Sequence, residues 1–395
     1  MKLAIVHDYL NQMGGAERVL LVLHELYPDA PIYTSIYAPN RVDPAFRRMD
    51  IRASFMQRLP LVHTHHQAFL PLFPFAFESL DLRAYDVVLS MSSGWAKNVL
   101  TRPETCHICY CLTPMRFGWN FNEYVAREPV AGWQRAALLP IMTALRLWDV
   151  AGANRVDYFA AISTVVARRI RKFYRREATV IHPPVDTSRY AYRAADDAEE
   201  PNGRVEGGYV LVVSRLVPYK RVDLAIEACN RLKLPLKILG DGRDRPRLER
   251  MAGPTVEFLG FVDDATKRHY LYGCRAFIFP GEEDFGIAPL EAMAAGRPVV
   301  AYAAGGALDT VIDGQTGVLF AEPSAEALAA ALERALACSW DRAAVAAHAA
   351  RFSVETFKTQ LSGFVAAKVA EFRASAGSAR LDRLASPPAH AGAVL

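Results

Sequence analysis

The sequence lacks any apolar run near the ~20 residues that a helix needs to cross a bilayer. Its longest, "FLPLFPFAF" (Phe69 to Phe77) and "AALLPIMTAL" (Ala136 to Leu145), are half that length. The start, "MKLAIVHDYL", has no apolar stretch followed by a small-residue cleavage site, so a cytoplasmic chain is expected. Cysteine is scarce: six in 395 residues do not make a disulfide framework. Cys106 and Cys109 have CxxC spacing, but no second pair completes a zinc site, and "CHICYC" reads as a core strand with alternating burial. "HTHH" (His63 to His66) has no neighbouring carboxylate or cysteine motif and reads as a polar loop. Charge of one sign is missing too. With 46 Lys plus Arg against 42 Asp plus Glu, the net +4 gives no ground for a nucleic-acid partner. No GxGxxG follows the first strand, which counts against a dinucleotide enzyme, and no cofactor is expected.

What remains is a globular composition, 52% hydrophobic and 22% charged, enough for two domains. Apolar strand-like runs alternate with amphipathic stretches, the pattern of doubly wound parallel sheets covered by helices: α/β class. "KLAIVH", "AYDVVLSMS", "YFAAIS" and "ATVIHPPVD" form a first series. A polar, acidic interval, "RAADDAEEPNGRVEGG" (Arg193 to Gly208), reads as a linker. The pattern restarts with "YVLVVS", "LKILG", "VEFLGFV", "AFIFP" and "PVVAY", and alanine-rich helices run from Ser324 to about Ala374. The expected division is 1–190, 208–350, helices over 351–374 that return to the first domain, and a flexible tail over 375–395.

Ligands bind such sheets at the carboxyl ends of their strands. "GEEDFGIAPLEAMAAG" (Gly281 to Gly296) leaves the strand "AFIFP", with Pro289 suited to a first helical turn and Gly296 to a stop. Glu283 therefore belongs to the loop and Glu291 to the helix. The N–H groups around Gly286, Ile287 and Ala288 make an anion site backed by the helix dipole. In "SRLVPYKRVD" (Ser214 to Asp223), Arg215 ends a strand and Lys220 stands at the mouth of the next helix. They read either as a diphosphate clamp or as solvated surface charges. "HDYLNQMGGAERV" (His7 to Val19) ends a loop on Gly14-Gly15, where a backbone can approach a ligand closely.

Together these segments resemble the retaining glycosyltransferases of family 4, over nearly the whole chain to about Ala374. The resemblance rests on Glu283-x7-Glu291 with Phe285-Gly286 in place, on Arg215-x4-Lys220, on Gly14-Gly15, and on "GGALDTVIDGQTGVLF" (Gly305 to Phe320). It implies a GT-B fold, two Rossmann-like doubly wound domains facing a central cleft. Glu283 would contact the donor sugar and Glu291 the ribose. Arg215 and Lys220 would hold the donor diphosphate, which the Gly14-Gly15 loop, Phe285, Gly286, Ile287 and Ala288 would help enclose. Tyr9 and Arg116 would stand on the acceptor side. Two departures are visible: Asp309 where many relatives have Glu, and Leu112 where histidine often precedes Thr-Pro, so no histidine contact is carried over, to His107 or elsewhere.

The implied chemistry is front-side transfer with retention, in which phosphate charge is met by Arg215, Lys220 and the helix N-terminus. No metal is required, and the sequence has no Asp-x-Asp. "CLTPMRFGWN" and "AYAAGGALDTVIDG" resemble bacterial mannosyltransferases that build O-antigen or exopolysaccharide repeats. GDP-mannose is the expected donor, with a UDP-sugar next, and the acceptor a glycan or a polyprenyl-diphosphate-linked glycan. A nucleotide-sugar epimerase and a non-catalytic glycan-binding protein stay as alternatives. A lipid-linked acceptor requires work at the inner face of the cell membrane. "VARRIRKFYRREA" (Val166 to Ala178) and the proline-broken loop "FLPLFPFAF" near Arg58 are candidate contacts with an anionic surface.

Overall fold

A computed structural model describes residues 1–121, 132–192 and 208–385. Two sheets carry the architecture. The first orders its strands β3-β2-β1-β4-β5-β6-β7 and the second β10-β9-β8-β11-β12-β13. The first set is β1 (Leu3–His7), β2 (Ile32–Thr34), β3 (Ile51–Ala53), β4 (Val87–Ser92), β5 (Cys106–Cys111), β6 (Tyr158–Ala161) and β7 (Ala178–Val180). The second is β8 (Val210–Val213), β9 (Leu236–Leu239), β10 (Val256–Gly260), β11 (Ala276–Phe279), β12 (Val299–Tyr302) and β13 (Gly317–Phe320). Pairing is parallel, for example Leu3 with Val87 and Phe277 with Val299. The expected α/β class with two doubly wound sheets is borne out.

The strand order explains where ligands belong. Each sheet winds outward from its first strand in one direction, then reverses, so β1/β4 and β8/β11 are the switch points. Helices cover both faces of such a sheet, and central strands are buried on both sides. That overturns the alternating burial expected for "CHICYC": all six residues of β5 are buried. In the second sheet Val210, Ile238, Ile278 and Val300 lie in one core with Leu224, Leu328 and Leu332 from covering helices.

By contact, the described residues fall into two compact units. One takes Met1–Cys111, Ala144–Ala160 and the chain from Thr359; the other takes Leu112–Thr143 and Ala161–Lys358. The interval 193–207, read as a linker, lies outside the described residues, as does the end of the tail, 386–395. The rest of that tail differs from expectation, because one helix runs Val354–Ala385. Phe357, Leu361, Val365 and Val369 bury an i, i+4 stripe along it. The following Ala-, Leu- and Arg-rich residues favour continuing a helix already nucleated.

Two further stretches are helical where loops were expected. "HTHH" lies in a helix Val62–His65 and a 3-10 segment His66–Leu72. "FLPLFPFAF" runs from that segment into a helix Phe73–Glu78, which buries Phe73, Ala76 and Phe77 and leaves Phe75 exposed. Proline is tolerated there in the first helical turn.

Candidate functional site

In the first unit, the carboxyl end of β1 is fixed by Asp8. Its buried carboxylate accepts hydrogen bonds from the backbone of Ser93 (2.7 Å), Trp95 (3.1 Å) and Ala96 (2.6 Å), tying the β1 and β4 ends together at the switch point. Tyr9 follows, its ring 5.1 Å from that of His66. Gly14 caps the helix Gly15–Leu26 in an extended conformation, so its backbone does not demand glycine. Space is tight but not prohibitive: a Cβ there would stand 3.1 Å from Glu17 Oε2, the end of a side chain. Buried Glu17 lies 3.8 Å from His7, whose ring nitrogens are buried without a hydrogen-bond partner. His107 is no ligand contact. It is buried in β5 with Nε2 2.9 Å from Ser90 Oγ, and burial, then Lys97 and Arg155, push its pKa down to about 3.

In the second unit, the β8 and β11 loops flank the other switch point. After β8, Pro218–Lys220 forms one 3-10 turn before the helix Val222–Leu232. Arg215 Nη2 donates to Tyr219 Oη at 3.4 Å, and Lys220 Nζ lies 5.4 Å from the Tyr219 ring centroid. After β11, the chain passes so close to this turn that a Cβ on Gly281 would stand 2.8 Å from the Lys220 carbonyl oxygen. Only glycine fits, and the close approach brings Lys220 Nζ onto the Glu283 carboxylate as an ion pair. The helix Ile287–Ala294 begins at Gly286, which has φ +100 and no side-chain cap. A Cβ at Gly286 would also meet the Phe279 ring at 2.7 Å. Both constraints select glycine.

Of the residues singled out from sequence, the structure thus gathers Arg215, Lys220, Glu283 and the Gly286-Ile287-Ala288 turn around one switch point. Arg116 joins them through Asp284 (3.8 Å) and the Tyr219 ring (5.3 Å). Two residues face elsewhere. Phe285 is buried, its ring 5.6 Å from His182 and 6.0 Å from Phe352. Glu291 is 5% exposed, and both its oxygens lie 3.0 Å from Lys267 Nζ. Gly14, Gly15 and Tyr9 belong to the first unit.

Sequence reasoning missed several partners. Asp309 accepts from the Thr164 amide (2.7 Å) and hydroxyl and from His182 (3.3 Å). Burial raises its carboxyl pKa, but the His182 and Thr164 hydrogen bonds outweigh that and hold it below the usual value. Arg169 pairs with Glu282 (3.1 Å) and Asp284. The basic run containing it is a helix, Thr164–Tyr174, whose Arg168, Arg171 and Lys172 line a 330 Å³ groove with Arg175 just past its end. Among the described residues, no group of three His, Cys, Asp or Glu is placed to hold a metal ion.

Comparison with known proteins bears on the family and the fold. Residues 195–352 match the family described as Glycosyl transferases group 1. A glycogen synthase of Mycobacterium tuberculosis is 31% identical over 221 residues, 52% of this chain and 51% of that protein. A GDP-mannose-dependent alpha-(1-6)-phosphatidylinositol monomannoside mannosyltransferase of Mycolicibacterium smegmatis is 29% identical over 273 residues, 63% of this chain and 69% of that one. The chain spans about half the length of the first of these relatives. Among solved structures, Anabaena Alr3699/HepE in complex with UDP-glucose aligns with TM-score 0.67 at 19% identity, covering 93% of this chain and 100% of that one. A sucrose-phosphate synthase from Thermosynechococcus elongatus aligns with TM-score 0.69 at 19% identity, covering 94% and 100%. The fold they share is GT-B.

Proposed function

We propose that this chain is a retaining, metal-independent hexosyltransferase that moves mannose from GDP-mannose, with α linkage, onto a glycan carried by a lipid. The observation that carries the reading is the Lys220–Glu283 ion pair, set beside Arg215 and an uncapped helix N-terminus at a sheet switch point. When a nucleoside diphosphate leaves a sugar, negative charge grows on phosphate and positive charge on the anomeric carbon. Arg215, Lys220 and the amides of Gly286 to Ala288 meet the first, while Glu283 faces the second. Leaving-group charge is then neutralised by fixed cations without a metal. The departing phosphate takes the acceptor proton on the same face, so configuration is retained. The ribose contact expected of Glu291 is left out of this reading, because its buried carboxylate is taken by Lys267.

GDP-mannose is supported by relatives with GDP-mannose-dependent names. A UDP-sugar is the second reading, favoured by the fold shared with a protein solved with UDP-glucose. The basic face of the helix Thr164–Tyr174 suits the chain to an anionic membrane surface on the cytoplasmic side, and among the described residues no helix is long and apolar enough to cross a membrane. A thermal-shift panel of GDP, GDP-mannose, UDP and UDP-glucose tests the donor, since a ligand at 100 times its Kd adds about 2.7 kcal/mol to the native state. The reading expects the largest shifts with the guanosine pair. Larger shifts with the uridine pair select the second reading, and no shift with any of the four contradicts both.

A further inference from the structure

Three consecutive carboxylates, Glu282, Glu283 and Asp284, occupy the loop between β11 and the helix Ile287–Ala294. Like charges so close repel, and each requires a cation. Their partners alternate along the chain. Glu282 and Asp284 share one guanidinium, that of Arg169, whereas Glu283 turns to Lys220. Arg169 is only 16% exposed, and its Nη1 also lies 3.5 Å from Thr113 Oγ1. A planar fork suits this task, because its two ends take two carboxylates in fixed geometry, as an ammonium does not.

The backbone of the loop is held from behind. The Gly306 amide donates to the Glu283 carbonyl at 2.8 Å. Gly305, with φ +61, and Gly306 pass so close that a Cβ on either would collide with the backbone of Glu283 or Phe285. The peptide of Glu283 is thus held by the glycine pair and its flanks by Arg169, while its own carboxylate meets Lys220.

We infer that Arg169 is a positioning residue: by clamping Glu282 and Asp284 it aims Glu283 at the reacting sugar. This rests on the reading of Glu283 given above. It also separates Arg169 from its helix neighbours Arg168, Arg171, Lys172 and Arg175, which line a groove on another face. Arg169 touches no donor atom in this scheme, so its loss lowers turnover and spares donor affinity.

The test compares the parental chain with Arg169→Gln, Arg169→Lys and Glu283→Gln. Nucleotide release is followed from GDP-mannose and UDP-glucose, and amide hydrogen exchange across Gly281–Phe285. Arg169→Gln is expected to lower kcat at least tenfold with donor KM within threefold, and to speed exchange in that segment at least tenfold while exchange in β11 holds. Arg169→Lys restores part of kcat. Parental kcat in Arg169→Gln, or kcat and KM lost together with melting temperature, overturns the inference. So does unchanged exchange, a readout that needs no donor. Parental turnover in Glu283→Gln instead overturns the role of Glu283 and leaves the clamp to be judged by exchange.

Discussion

Lys220 Nζ rests on the Glu283 carboxylate, with the two side chains 15% and 21% exposed. Each belongs to a different strand-end loop, and the pair exists because Gly281 lets those loops touch. An ion pair this shielded from water is held less by its own attraction than by the neighbours that fix both ends. Here those neighbours are Tyr219, the Gly305-Gly306 turn and Arg169.

If Lys220, Arg215 and the helix N-terminus meet the leaving charge, chelation leaves turnover intact. Nucleotide release after exhaustive EDTA treatment is expected to match the untreated rate. Loss of activity that magnesium or manganese restores would contradict a metal-free mechanism.

The basic face of the helix Thr164–Tyr174 is expected to bind anionic lipid, at about 1 kcal/mol per cation near the surface. Sedimentation with anionic vesicles should pellet the chain at low salt, less so at high salt, and less again when Arg168, Arg171 and Arg175 become glutamate. Equal recovery in the supernatant with and without vesicles at low salt would remove the membrane from the account.

His107 predicts a pH dependence of stability. Its folded pKa is about 3, against about 6.5 for an unperturbed imidazole. Between those values the unfolded chain binds a proton that the folded chain refuses, so stability rises with pH across this window. The contribution is complete above pH 6.5 and is lost as pH falls toward 3, by about 1.4 kcal/mol per pH unit. Urea unfolding between pH 6.5 and 4.5 should show a slope shallower by one proton in His107→Asn. Identical slopes would contradict the burial argument.

The sheets were legible where strands are continuous apolar runs. "YVLVVS", "LKILG" and "AFIFP" each mark a strand because both faces are buried, and β8, β9 and β11 follow. Three-residue strands such as β2 and β3 carry too few residues for a periodic signal. Glu283 and Lys220 were legible because loop position follows from the neighbouring strand and helix. The partners of Glu291 and Asp284 were not, since Lys267 and Arg169 come from distant helices. Arg169 looked like one more charge in a basic run, and only the fold tells which side of the helix is covered.

The most direct measurement of the central claim is the affinity of GDP and UDP for the parental chain and for Arg215→Ala and Lys220→Ala by titration calorimetry. Each substitution removes a charge-assisted contact worth roughly 1.5 to 3 kcal/mol. The account predicts that at least one of the two nucleotides binds the parental chain, and that each variant weakens its binding tenfold or more while melting within a few degrees of the parent. Unchanged affinity in both variants, or no binding of either nucleotide to the parental chain, would contradict it.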